Sequence, residues 1–166
     1  MSENPSEDTL ETVSAAPSAG PKADRRATSA VRAIVFLNRE FERVCRGEGI
    51  RIPHYRLLLF LRHGPKRAGE LAARAAIQRP TLTSLVDGLE KEGRIRRVQV
   101  EADRRGVRLE LTETGLRDLR TVESRLAELV EGLLEGRTGG ERDEVLGAFA
   151  TLARILDGEV EKRLQG

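Results

Sequence analysis

The triplet Asp103-Arg104-Arg105 places a carboxylate and two guanidinium groups on consecutive residues, with further cations nearby at Lys91, Arg94 and Arg96. Guanidinium groups can hold phosphate oxygens or base edges through charge-assisted hydrogen bonds, and a neighbouring carboxylate can orient one of them beforehand. Taken alone, an Asp-Arg turn is more simply an exposed ion pair at a hairpin tip. The distribution of charge points elsewhere. Residues 51–112 carry 14 basic and 7 acidic side chains, against 7 and 8 in residues 1–50 and 8 and 12 in residues 113–166. The overall charge of +2 therefore conceals a basic middle segment, the pattern of a surface facing a polyanion. A solvated, charged helix face has the same composition.

Other chemistries find fewer residues to carry them. Cys45 is the sole cysteine, and with His54 and His63 the only histidines, neither a disulfide framework nor a zinc-ligand spacing can be written. There is no phosphate-binding glycine loop, no nucleophile-base motif and no carboxylate pair that the sequence brings together, so we expect a protein that is not an enzyme, with no cofactor and no metal. No apolar run approaches the roughly 18 residues of a membrane span, and no apolar leader follows Met1, which leads us to expect a cytoplasmic protein.

The elements that must position the basic residues follow from periodicity. Residues 1–26 are rich in Ser, Pro, Ala, Gly and acidic side chains without apolar periodicity, as in a flexible tail. From Thr28, a candidate N-cap, Val31, Ile34, Val35, Phe41, Val44 and Cys45 recur at helical spacing up to Gly47. A second helix begins at Pro53 and runs through Leu57-Leu58-Leu59-Phe60-Leu61 to Gly64-Pro65. An Ala-rich helix over 68–75 precedes a fourth at about Pro80 to Glu92, with Leu82, Leu85, Val86 and Leu89 on one face. Arg79, Thr81, Thr83, Ser84, Asp87, Gly88 and Lys91 occupy its other face. Two β-type runs, 94–100 and 107–111, flank a charged turn and predict a hairpin. Thr112 can cap a long helix, and a final helix follows the break at 136–140.

A short helix, a tight turn, a second helix with a polar face and a hairpin with a cationic tip make a winged helix-turn-helix. The expected fold is therefore mainly α with a small β-hairpin: a tail (1–26), an N-terminal dimerisation helix (27–48), the winged domain (49–112) and C-terminal dimerisation helices (113–166). The stretch from Ile50 to Gly115 resembles the MarR family of bacterial transcriptional regulators. The resemblance rests on Ile52-Pro53-His54-Tyr55-Arg56-Leu57-Leu58, Gly69-Glu70-Leu71-Ala72, and Arg79-Pro80-Thr81-Leu82-Thr83-Ser84-Leu85. Its most specific part is Asp103-Arg104-Arg105 followed in register by Leu111-Thr112 and Gly115. It implies that Arg79, Pro80, Thr81, Thr83 and Ser84 approach the major groove of DNA, and that Arg105, steered by Asp103, enters the minor groove, where narrow width focuses negative potential. Arg104, Arg94, Arg96 and Lys91 fit phosphate contacts, which position without specifying. Ser84 and Gly88 depart from the pattern, standing where relatives have longer donors, and Gln78 is a poor N-cap.

The terminal helices have longer apolar stripes than a winged domain needs, which predicts a homodimer over a palindromic operator in double-stranded DNA. The resemblance further implies a repressor released by a small aromatic or phenolic ligand, in a crevice involving Phe36, Arg39, His54, Tyr55 and Arg56. His54 and Tyr55 are equally compatible with an exposed histidine and a core tyrosine. For Cys45, adjacent Arg43 and Arg46 favour a thiolate and a redox-sensing regulator, whereas its place on the apolar stripe favours a packed thiol. A protein-interaction adaptor without DNA binding is the remaining alternative.

Overall fold

The computed structural model describes residues 25–100 and 103–165. The expected tail therefore lies, up to residue 24, outside the described residues. These residues fall into two compact units divided between Leu37 and Asn38, within the first helix. That helix, α1, spans Arg25–Gly47, so Thr28 is an interior residue rather than its cap. The part of α1 in the first unit exposes Val31, Ile34, Val35 and Phe36, the last 69% exposed.

The second unit runs through the rest of α1, then α2 (Ile52–Leu61), β1 (Lys66–Arg67), α3 (Ala68–Ala75) and α4 (Arg79–Lys91). It continues with β2 (Ile95–Val100), β3 (Asp103–Leu111), α5 (Glu113–Leu133) and α6 (Gly139–Gln165). Pro in the first turn of α2 costs no hydrogen bond, because the first helical N–H groups have no intrahelical acceptor. Leu57, Leu58 and Leu61 of α2 enter the core with Leu71 of α3, Leu82, Val86 and Leu89 of α4, Ile95 and Leu109 of the sheet, and Leu119, Val122 and Leu126 of α5. The apolar face expected of α4 is thus the face it buries.

The sheet is three-stranded and antiparallel in the order β1-β3-β2. Lys66 pairs with Leu109, and Ile95 with Leu111, while an irregularity between Gln99 and Val100 brings Val100 opposite Asp103. Two expectations change here. β1 is too short to show a period of two, so the sequence reads as a bare connection where there is a strand. β3 begins at Asp103 rather than Val107, because the extra residues are taken up by the bulge-like shift.

The long helices are capped as their sequences allow. Thr112 Oγ1 accepts from Gly115 N (3.0 Å), and Thr138 and Glu141 bond reciprocally at the start of α6, with Thr138 N donating to the carboxylate at 2.9 Å and Glu141 N donating to Thr138 Oγ1 at 3.3 Å. Those bonds from Thr138 hold the Glu141 carboxyl below its ordinary range. α6 packs on α3 through its C-terminal part, where Arg74 Nη1 meets Glu161 at 3.0 Å. Its remaining apolar side chains, Val145, Leu146, Phe149, Leu152, Ile155 and Leu156, are exposed. No helix among the described residues is long and apolar enough to cross a membrane.

Candidate nucleic-acid interface

α4 presents Arg79, Pro80, Thr81, Thr83, Ser84, Asp87 and Lys91 to solvent while Leu82, Val86 and Leu89 anchor it from below. Of the five residues expected at the major groove, all are therefore on one exposed surface. Thr83 Oγ1 donates back to Arg79 O at 3.1 Å, a bond that occupies its hydroxyl proton and leaves its methyl group and lone pairs available. Gln78, extended at φ −70° and ψ 148°, makes no side-chain cap, so the sequence expectation of an uncapped end holds. The first N–H groups of α4 are thereby left for an external acceptor, and the helix dipole makes an anion favourable there.

Gly88 does not belong to that surface. A Cβ at this position would lie 3.4 Å from His54 Nε2, so the residue faces α2. Its missing side chain is clearance for a buried ring, whereas the sequence alone presents it as a missing donor.

The cations expected at phosphates divide into two kinds. Lys91 is exposed, and Arg96 is exposed beside Glu110, its cross-strand partner. Arg94 is held: its side chain is 12% exposed, Nε donates to Asp118 Oδ2 at 3.0 Å, and Nη1 contacts Glu92 and the carbonyl of Gly49 (3.3 Å). Arg94 thus ties the turn after α4 to α5, a use of its charge that the sequence does not distinguish from phosphate binding. Arg97, to which sequence reasoning assigned no role, reaches from β2 to Asp87 (2.7 Å) and Glu90 on α4. It couples wing and helix. The acidic pair at i, i+3 was the only sequence signal, and it names no partner. Both strands of the wing tip are in place, while the side chains of Asp103, Arg104 and Arg105 lie outside the described residues.

Residues 48–106 match the family model described as MarR family. The segment that carries the helix-turn-helix and the wing is thus similar to the MarR family. The chain is 37% identical over 92 residues to the HTH-type transcriptional regulator PecS of Dickeya dadantii, covering 53% of this chain and 48% of PecS, so it spans about half the length of that relative. Among solved structures, it resembles the transcriptional repressor CouR bound to a 23-mer DNA duplex, with a TM-score of 0.62 and 27% identity over 75% of this chain and 89% of CouR. It also resembles NadR in complex with 4-hydroxyphenylacetate, with a TM-score of 0.64 and 25% identity over 82% of this chain and 96% of NadR.

Of the residues expected around a ligand, those in the second unit differ in burial. His54 is buried at 3% exposure, with its ring against Gly88, whereas Arg39 and Arg56 are exposed. Tyr55, one position further round α2, is half-buried, and its hydroxyl pKa is pushed up to about 12, mainly by burial and then by Glu123 and Cys45. Phe36 belongs to the first unit. Two clefts of about 550 and 560 Å³ lie elsewhere, one beside the start of α5 and one among the end of α2, α3 and α6. Cys45 is 0% exposed within the core, and burial pushes its thiol pKa up. Arg43, one of its two flanking cations, is paired with Glu40 at 2.6 Å. An enclosed thiol with a raised pKa is a poor nucleophile, which favours packing over redox sensing.

Proposed function

We propose that this protein is a dimeric, sequence-specific DNA-binding transcriptional regulator, acting as a repressor that a small phenolic acid releases. The carrying observation is the exposed face of α4, Arg79 to Ser84, set on a buried apolar face and clamped by Arg97 to the adjoining wing. A helix fits the major groove of B-DNA, and short polar side chains in its first turns reach base edges or the methyl group of thymine. The N–H groups of Arg79 and Thr81, in the first turn of α4, suit a phosphate at the groove edge, while Leu82 N donates to Gln78 O at 3.0 Å. Lys91, Arg96 and Arg104 suit further phosphates, with Arg105, beside Asp103, in the minor groove. Arg94 acts indirectly, by holding the wing's base.

Repression and release draw support from likeness alone: CouR is a repressor bound to DNA, and NadR was solved with 4-hydroxyphenylacetate. The dimer draws support from this chain, whose α1 and α6 each leave an apolar stripe uncovered. Runs of exposed apolar side chains along one helix are the kind of surface that association covers.

Fluorescence anisotropy with DNA from upstream of the protein's own gene and a scrambled duplex, at two salt concentrations, tests the reading. Preferential, salt-weakened binding by one dimer is expected. Equal affinity for both duplexes removes sequence specificity, and absence of binding at low salt favours the adaptor alternative. Within this assay, Arg105→Ala should weaken specific binding by about 1–3 kcal/mol. Lys91→Ala should weaken both duplexes alike and reduce the salt slope by about one unit. An unchanged affinity for Arg105→Ala would take the wing out of sequence readout. Adding 4-hydroxyphenylacetate to the complex tests release directly.

A further inference from the structure

Alone among the described polar and charged side chains, His54 is classed as buried, at 3% exposure. It touches the recognition helix at the one place where that helix has no side chain. A Cβ on Gly88 would stand 3.4 Å from His54 Nε2 and 3.5 Å from Cε1, so the backbone of α4 rests on the edge of the imidazole. On the other side, Arg51 Nη2 lies 3.1 Å from the same Nε2. A guanidinium can only donate, so Nε2 is the acceptor, and the ring is neutral with its proton on Nδ1.

The charged groups facing the ring are Arg51 at the start of α2, Glu92 just after α4 and Arg94 in the turn to β2. Arg94 is itself tied to Glu92 and to Asp118 of α5. A proton arriving at Nε2 would remove the acceptor that Arg51 uses and place a third cation beside two arginines, with Glu92 alone among the three favouring it. The ring could regain solvent or a new partner only by moving, and α4 has nothing between its backbone and that ring.

We propose that His54 is a positioning residue for the recognition helix, and that proton uptake at Nε2 unseats α4 and weakens DNA binding. This rests on the DNA-binding reading above. Burial and then Arg51 hold the His54 pKa below the ordinary histidine range, so the seated, neutral form prevails at neutral pH. An unseated ring binds its proton more readily. The seat is therefore fully favoured above the unperturbed histidine value and is lost as pH falls from there through the depressed value of the folded protein.

The test is specific-DNA affinity of the full-length protein from about pH 7.5 to about pH 5 at constant ionic strength, with far-UV circular dichroism at each pH. Wild type should lose roughly tenfold or more in affinity while its helix content is unchanged. His54→Gln, whose amide oxygen can accept from Arg51 without titrating, should lose less than about threefold. Equal losses in the two proteins, no loss in wild type, or a loss that follows the loss of helix would each overturn the proposal. An NMR titration of wild type supplies a readout that needs neither a variant nor DNA. The Gly88 amide should move with the His54 ring, and an amide that stays fixed as the ring titrates overturns the seat. If the protein binds no DNA at any pH, the DNA-binding reading fails and takes the functional half of this proposal with it. The Gly88 response then decides the seat separately.

Discussion

Gly115→Ala is expected to destabilise the protein by about 3 kcal/mol or more, among the larger effects a single methyl group can have. A Cβ at this position would lie 1.9 Å from the carbonyl oxygen of Arg94 and 2.9 Å from its carbonyl carbon. Both are backbone atoms, so no side-chain rotation can relieve the overlap. The carbonyl is not free to retreat, since it accepts the Thr112 N–H at 3.1 Å. Thr112 in turn donates its hydroxyl to Gly93 O at 2.7 Å and caps α5 by accepting from Gly115 N. The Arg94 side chain closes the same junction through Asp118. One methyl group therefore strains the point where the recognition helix, the wing and α5 are joined. Urea denaturation followed by circular dichroism measures the loss. Gly147→Ala is the control, because its Cβ meets nothing within 4 Å and lies inside α6. Helix propensity there predicts a gain of up to about 1 kcal/mol. If both variants unfold at the wild-type midpoint, the close approach at Gly115 is not what holds this junction.

The second large effect concerns α6. Phe149→Glu combined with Leu152→Glu should convert the protein to a monomer at micromolar concentration and weaken specific DNA binding by about two orders of magnitude or more. Both side chains are exposed within the single chain, at 43% and 38%, so the charges meet water there and leave the fold intact. In a two-fold interface each charge would be repeated by symmetry and buried against apolar surface, which is strongly unfavourable. DNA affinity falls with dimer loss, since the second half-site is then bound from solution instead of from an already attached partner. Sedimentation equilibrium and anisotropy on the same samples measure both. A dimer that survives the double substitution places the interface elsewhere, and a monomeric wild type removes it altogether.

Periodicity along the chain determined a good deal by itself. The buried face of α4, at Leu82, Val86 and Leu89, and its exposed face from Arg79 to Ser84 are legible because helix geometry alone fixes which positions share a side. The Thr112 cap is legible for a similar reason, being satisfied within three residues of its own backbone. The Asp103-Arg104-Arg105 motif with Thr112 and Gly115 pointed to the family that the match over residues 48–106 bears out.

What the sequence left open depends on how elements dock. The strand at Lys66 and Arg67 exists only because β3 lies beside it, and two residues carry no period of their own. Arg94 and Arg97 are chemically alike and three residues apart, yet one locks the turn to α5 and the other clamps the wing to α4. Their partners lie on other elements, at separations no local rule specifies. His54 and Tyr55 are adjacent in sequence, but a helix turns about 100° per residue, so one supports α4 while the other is half-buried in a different setting. Gly88 shows the difference most plainly. In the sequence it is a recognition position without a donor, and only the packing of α2 beneath α4 makes it the space in which His54 sits.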